Sequence, residues 1–241
     1  MMILKMRPLL TLFVSIFILL LSFFTLSNAL FFPQSAFSNL HVKFDTVADI
    51  PKDYFQQQKT IFGEVARVID GDTIRIAHCR SRFSCPKIDI NQKKIFDKTM
   101  SIRIYGVDAP ELQKRKSDPP SQPFAEESKQ LASELVLGKK VTVKLLRRDQ
   151  YGRAVAKVQT PRRFNSFPPF VKKDLSIELT KRGLATLYTG GGAEYDGNRA
   201  LLESLEDKAK KSRRGVWSSD NYVSPAEFKK TQKLSKQQVK K

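Results

Sequence analysis

The sequence predicts an α+β fold: five short strands closing a small β-barrel, packed against about three helices. Three observations support this. Short stretches rich in β-branched residues alternate apolar and polar with period two, as half-buried strands do. Longer stretches with apolar residues three and four apart end on glycine, as helices do. A 41 % apolar content in 241 residues is enough for one core, not several.

The elements follow in order. "IFGEVARVI" from Ile61 is the first strand, and "DGD" (Asp70–Asp72) is a tight turn, because Asp and Gly tolerate turn dihedrals. "TIRIAH" returns as the second strand. Residues 79–99, with both cysteines and several lysines, form an insertion. "SIRIYGV" is the third strand, with Ile102 and Ile104 on one face. After the loop "SDPPSQP", "FAEESKQLASELVLG" reads as a helix with Phe124, Leu131 and Leu135 on a shared face and Gly138 as its stop. "KKVTVKLLR" and "AVAKV" are the fourth and fifth strands, joined by the turn "DQYGR". "DLSIELTKRG" is a short helix. "NRALLESLEDKAKKSRRG" is a longer one, expected to turn Leu201, Leu202, Leu205 and Ala209 inward. Five such strands with helices between and after them fit a barrel of the OB type.

The ends are different in character. Residues 1–32 carry Lys5 and Arg7 and then an apolar run from Leu9 to Leu26. That run is close to bilayer-spanning length, and "SNA" (Ser27–Ala29) resembles a cleavage site, so the segment is a signal or a single-pass transmembrane anchor. Either way the remainder is expected on the non-cytoplasmic side, secreted or lumenal if the segment is cleaved. Residues 33–60 are polar and mixed and read as a linker to a domain over 61–218. Residues 219–241 read as a basic, disordered tail.

The chain has 43 Lys and Arg against 24 Asp and Glu, a formal net charge of +19. That excess calls for a polyanionic partner, nucleic acid or an anionic membrane surface. His41 and His78 are the only histidines, in no suitable motif, which argues against histidine-dependent nuclease chemistry. His78, Cys79 and Cys85 lack a fourth ligand for a zinc site; a disulfide suits an oxidising compartment.

One group of residues stands out. Asp70 and Asp72 flank Gly71; Arg103 lies in the third strand; Asp108 and Glu111 follow in "GVDAPE"; Arg153 ends the "DQYGR" turn. Singly, each has a structural explanation in a turn or a solvated strand face. Together they pair hard oxygen ligands with planar guanidinium forks matched to phosphate, the ingredients of a phosphodiester-cleaving site.

"VIDGDTIRI", "IRIYGVDAPE" and "DQYGRAVA" resemble the signature segments of the thermonuclease (staphylococcal nuclease-like) family, and "LTKRGLATLY" and "AKKSRRGVWS" resemble its later helix and closing segment. The likeness spans Ile61–Ser218. With its apolar N-terminus and "GLATLYTGGGAEY", the chain looks most similar to the membrane-tethered eukaryotic branch. The resemblance implies Ca²⁺ held by Asp72, Asp108 and the Ala109 carbonyl, with Asp70 behind them. It implies Glu111 activating water, Arg103 and Arg153 gripping the scissile phosphate, and Tyr151 near the substrate. Gln150 departs from the family's usual Lys, and Tyr188 sits one place off in the Gly-rich stretch. The expectation is a monomeric Ca²⁺-dependent endonuclease acting on DNA or RNA. The alternative is a membrane-tethered, non-catalytic nucleic-acid-binding module; a third reading, a basic domain resting on anionic lipid, leaves the carboxylates unexplained.

Overall fold

A computed structural model describes residues 42–86, 95–116, 118–160 and 172–238. Strands β1 (Thr60–Asp70), β2 (Thr73–Cys79), β3 (Met100–Ile104), β5 (Lys140–Arg148) and β6 (Ala154–Gln159) close a barrel in the order β1-β2-β3-β6-β5. All neighbours are antiparallel except β3 and β6, which run parallel and seal it. A two-residue strand β4 (Val107–Asp108) pairs outside the barrel with β7 (Thr186–Leu187). The alternation written in the sequence is realised as burial: Ile74, Ile76, Ile102, Ile104, Val141, Val143 and Leu145 fill the interior.

Among the described residues there are five α-helices: α1 (Lys52–Gln56), α2 (Ala125–Val136), α3 (Leu175–Lys181), α4 (Arg199–Lys211) and α5 (Pro225–Gln238). Three match the expected ones. In α2 the buried face is Ala125, Ser128, Leu131, Ala132 and Val136, whereas Phe124 precedes the helix with φ 66°. The Asp174 side chain caps α3 by accepting from the Ser176 and Ile177 N–H groups. In α4, Leu202 and Ala209 are buried but Leu201 is 45 % exposed, so the inward stripe is narrower than expected.

The stretches flanking the barrel domain, where they are described, differ from the sequence reading. The segment 1–32 lies outside the described residues. The linker expected over 33–60 belongs, from Lys43 on, to the compact unit Lys43–Lys241. Phe44, Val47, Ile50 and Phe55 are buried in its core, and Arg148 donates to the Ile50 carbonyl. Four apolar residues spaced irregularly in a polar stretch give no periodic signal, yet their burial ties the segment down. The tail expected without structure carries α5. Its start is a capping box: Glu227 N–H donates to Ser224 Oγ, Ser224 N–H donates to the Glu227 carboxylate, and Pro225 occupies the first helical position. Cys79 and Cys85 form a disulfide, closing the start of the insertion.

Candidate active site

The turn between β1 and β2 presents Asp70 and Asp72. A Cβ on Gly71 would lie 1.9 Å from Ser128 Oγ and 2.8 Å from Ala109 Cβ, so only glycine lets α2 and the Ala109 segment close on this turn. Ala109 N–H donates to Asp72 Oδ2 at 2.7 Å and Thr73 Oγ1 to Asp72 Oδ1 at 3.0 Å. Asp72 and Asp108 are both buried, at 4 % and 5 % exposure. Arg103, projecting from β3, is shared between them: one guanidinium nitrogen pairs with Asp72, the other with Asp108 at 2.6 Å and with the Val107 carbonyl at 3.1 Å.

Burial pushes all three aspartates up, and their neighbours decide the outcome. For Asp72, burial raises the carboxyl, but the Arg103 guanidinium and the hydrogen bonds to Asp72, including that from Ala109 N–H, together hold it at about 2. Asp70 is pushed up to about 6 by burial and the Asp72 charge beside it, although Lys114 pairs with it at 2.7 Å. Asp108 is also raised, by burial and then by Asp72. Arg103 is held firmly charged; burial works against its charge, but Asp72 and Asp108 prevail.

Glu111 follows Pro110 on the loop after β4. Gln122 holds that loop from both sides, with Glu111 N–H donating to Gln122 Oε1 and Gln122 N–H to the Glu111 carbonyl, each at 2.8 Å. The Glu111 carboxylate is met by Lys229 of α5 at 2.8 Å.

The β5–β6 turn presents Tyr151 and Arg153. Asp149 organises it, accepting from the backbone N–H groups of Tyr151 and Arg153 at 2.9 and 2.8 Å and from Arg153 Nε at 2.6 Å. Tyr151 is 74 % exposed, with the Arg153 guanidinium 5.3 Å from its ring centre.

Asp70, Asp72, Arg103, Asp108, Glu111, Tyr151 and Arg153 all line one cleft of about 860 Å³. Ala109 is the exception among the expected residues: its side chain is buried against Gly71, and its backbone is fixed through Asp72. Gln150 and Tyr188 also line the cleft, and the Tyr188 ring centre lies 5.9 Å from the Arg103 guanidinium carbon. Sequence reasoning missed Lys114, Gln122, Asp149 and Lys229. Only Asp149, within the "DQYGR" turn, carried a local signal, since Asp favours bonding to its own turn backbone.

Among the described residues no three or more Asp, Glu, His or Cys side chains form a ready-made metal cage. Asp72 and Asp108 offer carboxylate oxygens, which are hard donors. Among the described residues the four carboxylates Asp70, Asp72, Asp108 and Glu111 pair with Arg103, Lys114 and Lys229. Among the described residues Asp70 Oδ1 has no hydrogen-bond partner although it is buried. A divalent cation of oxygen preference fits this chemistry.

The family model described as Staphylococcal nuclease homologue matches residues 101–219. The chain is 34 % identical over 217 residues to a probable endonuclease LCL3 of Komagataella phaffii, covering 86 % of this chain and 91 % of that one. It is 36 % identical over 187 residues to endonuclease Htp3 of Saprolegnia parasitica, covering 78 % and 84 % respectively. It is 38 % identical over 192 residues to a probable endonuclease LCL3 of Scheffersomyces stipitis, covering 77 % and 78 %. Barrel, cleft and these matches agree: the chain is a nuclease and belongs to the staphylococcal nuclease family.

Proposed function

We propose that this nuclease hydrolyses internal phosphodiester bonds of DNA or RNA with a calcium ion held by Asp72, Asp108 and the Ala109 carbonyl. The observation that carries this reading is the convergence of Asp72, Asp108, Glu111, Arg103 and Arg153 on one cleft. A binding module needs the arginines but not three buried or loop-clamped carboxylates facing them. When bound, the ion supplies positive charge that polarises the scissile phosphate.

The remaining work falls to the chain's own groups. Glu111, its backbone fixed by Gln122, accepts a proton from the attacking water. Arg153, pre-oriented by Asp149, offers its terminal nitrogens to two phosphate oxygens. Arg103 stands between Asp72 and Asp108, so phosphate competes with carboxylate for its fork. Tyr151, exposed beside Arg153, offers a ring for contact with a nucleotide. Asp70 lines the same cleft, with its carboxylate paired to Lys114.

The Cys79–Cys85 disulfide supports a non-cytoplasmic setting for the domain, attached through residues 1–32 or released from them. Among the described residues no helix is long and apolar enough to cross a membrane.

The test is cleavage of single- and double-stranded DNA and RNA by the full-length protein in chelator, then with Ca²⁺ or Mg²⁺ restored. Activity lost in chelator and restored by Ca²⁺ supports the reading. Undiminished activity in chelator removes the metal role of Asp72 and Asp108.

A further inference from the structure

The Gly-rich stretch "TGGGAEY" and the arginine pair Arg147–Arg148 are left unused by the chemistry above. Strand register connects them to it. Arg103 pairs with Val155 across β3–β6, and Val155 pairs with Arg147 across β6–β5. Residues paired in this way point to the same face, so Arg103, Val155 and Arg147 form one row, and all three line the cleft. Two strand spacings separate the arginines, about 10 Å along the sheet.

A β-bulge places Arg147 in that row. The register shifts between Leu145 and Arg147, which inserts Leu146 as an extra residue. Without the shift Arg147 would stand opposite Ala154, whose side chain is on the barrel-interior face; with it, Arg148 takes that position and Arg147 turns outward. The two arginines are then engaged differently. Arg148 donates to the Ala48 and Ile50 carbonyls and its guanidinium lies 5.1 Å from the Phe55 ring centre, tying down the N-terminal segment. Among the described residues Arg147 donates only to the Arg148 carbonyl, at 3.3 Å, whereas the Nε atoms of both arginines are buried without a partner. Arg103 and Arg153 each have carboxylate partners, whereas among the described residues none pairs with Arg147, although Glu194 lines the same cleft. The guanidinium packs on Gly192, where an added Cβ would meet it at 2.7 Å and where φ is +70°.

We propose that Arg147, cradled by Gly192, is a second phosphate subsite that grips the backbone phosphate flanking the scissile one. This rests on the nuclease reading and deepens it. A guanidinium lacking a counter-anion, aimed into a cleft that receives a polyanion, needs an oxyanion from the substrate.

The experiment uses full-length protein in chelator, so that strands bind without being cut. Fluorescent single-stranded oligonucleotides of increasing length are titrated across a salt series, for wild type, Arg147→Gln, Arg147→Lys and Gly192→Ala. Arg147→Gln is expected to lose about tenfold to a hundredfold in affinity for strands with a flanking phosphate. It should lose far less for a single nucleotide. Its salt slope should fall by about 0.7, one phosphate contact on a single strand. Arg147→Lys keeps the slope and loses part of the affinity, and Gly192→Ala, by displacing the guanidinium, behaves like Arg147→Gln. Thermal melts confirm that the variants fold; if Arg147→Gln does not, the folded Arg147→Lys and Gly192→Ala decide the question. Affinity and slope equal to wild type in the folded variants overturn the subsite while leaving the nuclease reading intact. A wild type that neither binds nor cleaves nucleic acid overturns the nuclease reading itself.

Discussion

Lys229 Nζ lies 2.8 Å from Glu111 Oε1 and 3.8 Å from Asp108 Oδ1, so the C-terminal helix places an ammonium on the carboxylates assigned to water activation and metal binding. Burial works against the Lys229 charge, but Asp108 and Glu111 outweigh it and raise its pKa. The helix also hangs on Gln122, whose Nε2 donates to the Val223 carbonyl at 3.0 Å. The segment after Trp217 therefore reaches the site and does not only supply diffuse positive charge.

On the proposed metal role of Asp108, Lys229 competes with the cation for that carboxylate. Its side chain is 51 % exposed, so the contest is modest. Lys229→Met is expected to tighten Ca²⁺ binding roughly two- to fivefold, with Lys229→Arg close to wild type. Calorimetric titration without nucleic acid measures this directly. Unchanged affinity in Lys229→Met would show that the ammonium swings away without cost.

Glu111 and Gln122 separate chemistry from positioning. Glu111→Gln should reduce the cleavage rate roughly 10²–10⁴-fold while nucleic-acid affinity stays within a few-fold of wild type. Gln122→Leu keeps the carboxylate but frees its loop, so it should lower the rate by a smaller factor. Rate and affinity measured in parallel are the check; equal rates for Glu111→Gln and wild type would reduce "DAPE" to a structural turn.

The barrel was legible because its signals are local: period-two alternation at Ile74, Ile76, Ile102 and Ile104 and turn residues at Asp70–Asp72 each need only their neighbours in sequence. The cleft residues were legible through family motifs of fixed spacing. What was not legible depends on distant partners. Gln122 meets Glu111 across eleven residues and Val223 across 101, and no periodicity records either. Arg147 faces the cleft because of a bulge, and one-residue register shifts leave no mark in an alternating stretch. Helix α5 is a different case. Its Lys-rich composition resembled a solvated tail, yet "SPAE" at Ser224–Glu227 is a start signal that outranked composition.

Arg153 owes its aim to Asp149, which binds both its backbone N–H and its Nε. Arg153→Lys keeps the charge and loses the fork, so the rate at saturating substrate should fall steeply while the salt dependence of binding barely changes. Asp149→Ala leaves Arg153 intact but unaimed and should lower the rate less. If Arg153→Lys turns over normally, the guanidinium is not at the reacting phosphate.

Acid stability sets His78 against Asp70. His78 is buried, its Nδ1 accepting from the Phe44 N–H at 3.2 Å, and burial together with nearby Lys43 lowers its pKa to about 4. Between about 6.5, the unfolded value, and 4, the unfolded chain binds a proton there that the folded chain refuses. Stability from His78 is therefore lost as pH falls through this window, by at most about 3 kcal/mol. Asp70 acts in the opposite sense. Burial and Asp72 raise it to about 6, so between 6 and its unfolded value near 3.8 the folded chain holds the extra proton and gains stability as pH falls, by a similar amount. Asp108, also raised, acts with Asp70. In metal-free wild type the His78 contribution opposes those of Asp70 and Asp108. His78→Gln, which can still accept from the Phe44 N–H, should become more stable from pH 6 to 4. Asp70→Asn should become less stable over the same range. Denaturant melts of the three proteins at half-unit pH steps, in chelator, give the slopes; two variants with the same sign of slope would refute this assignment of the two groups.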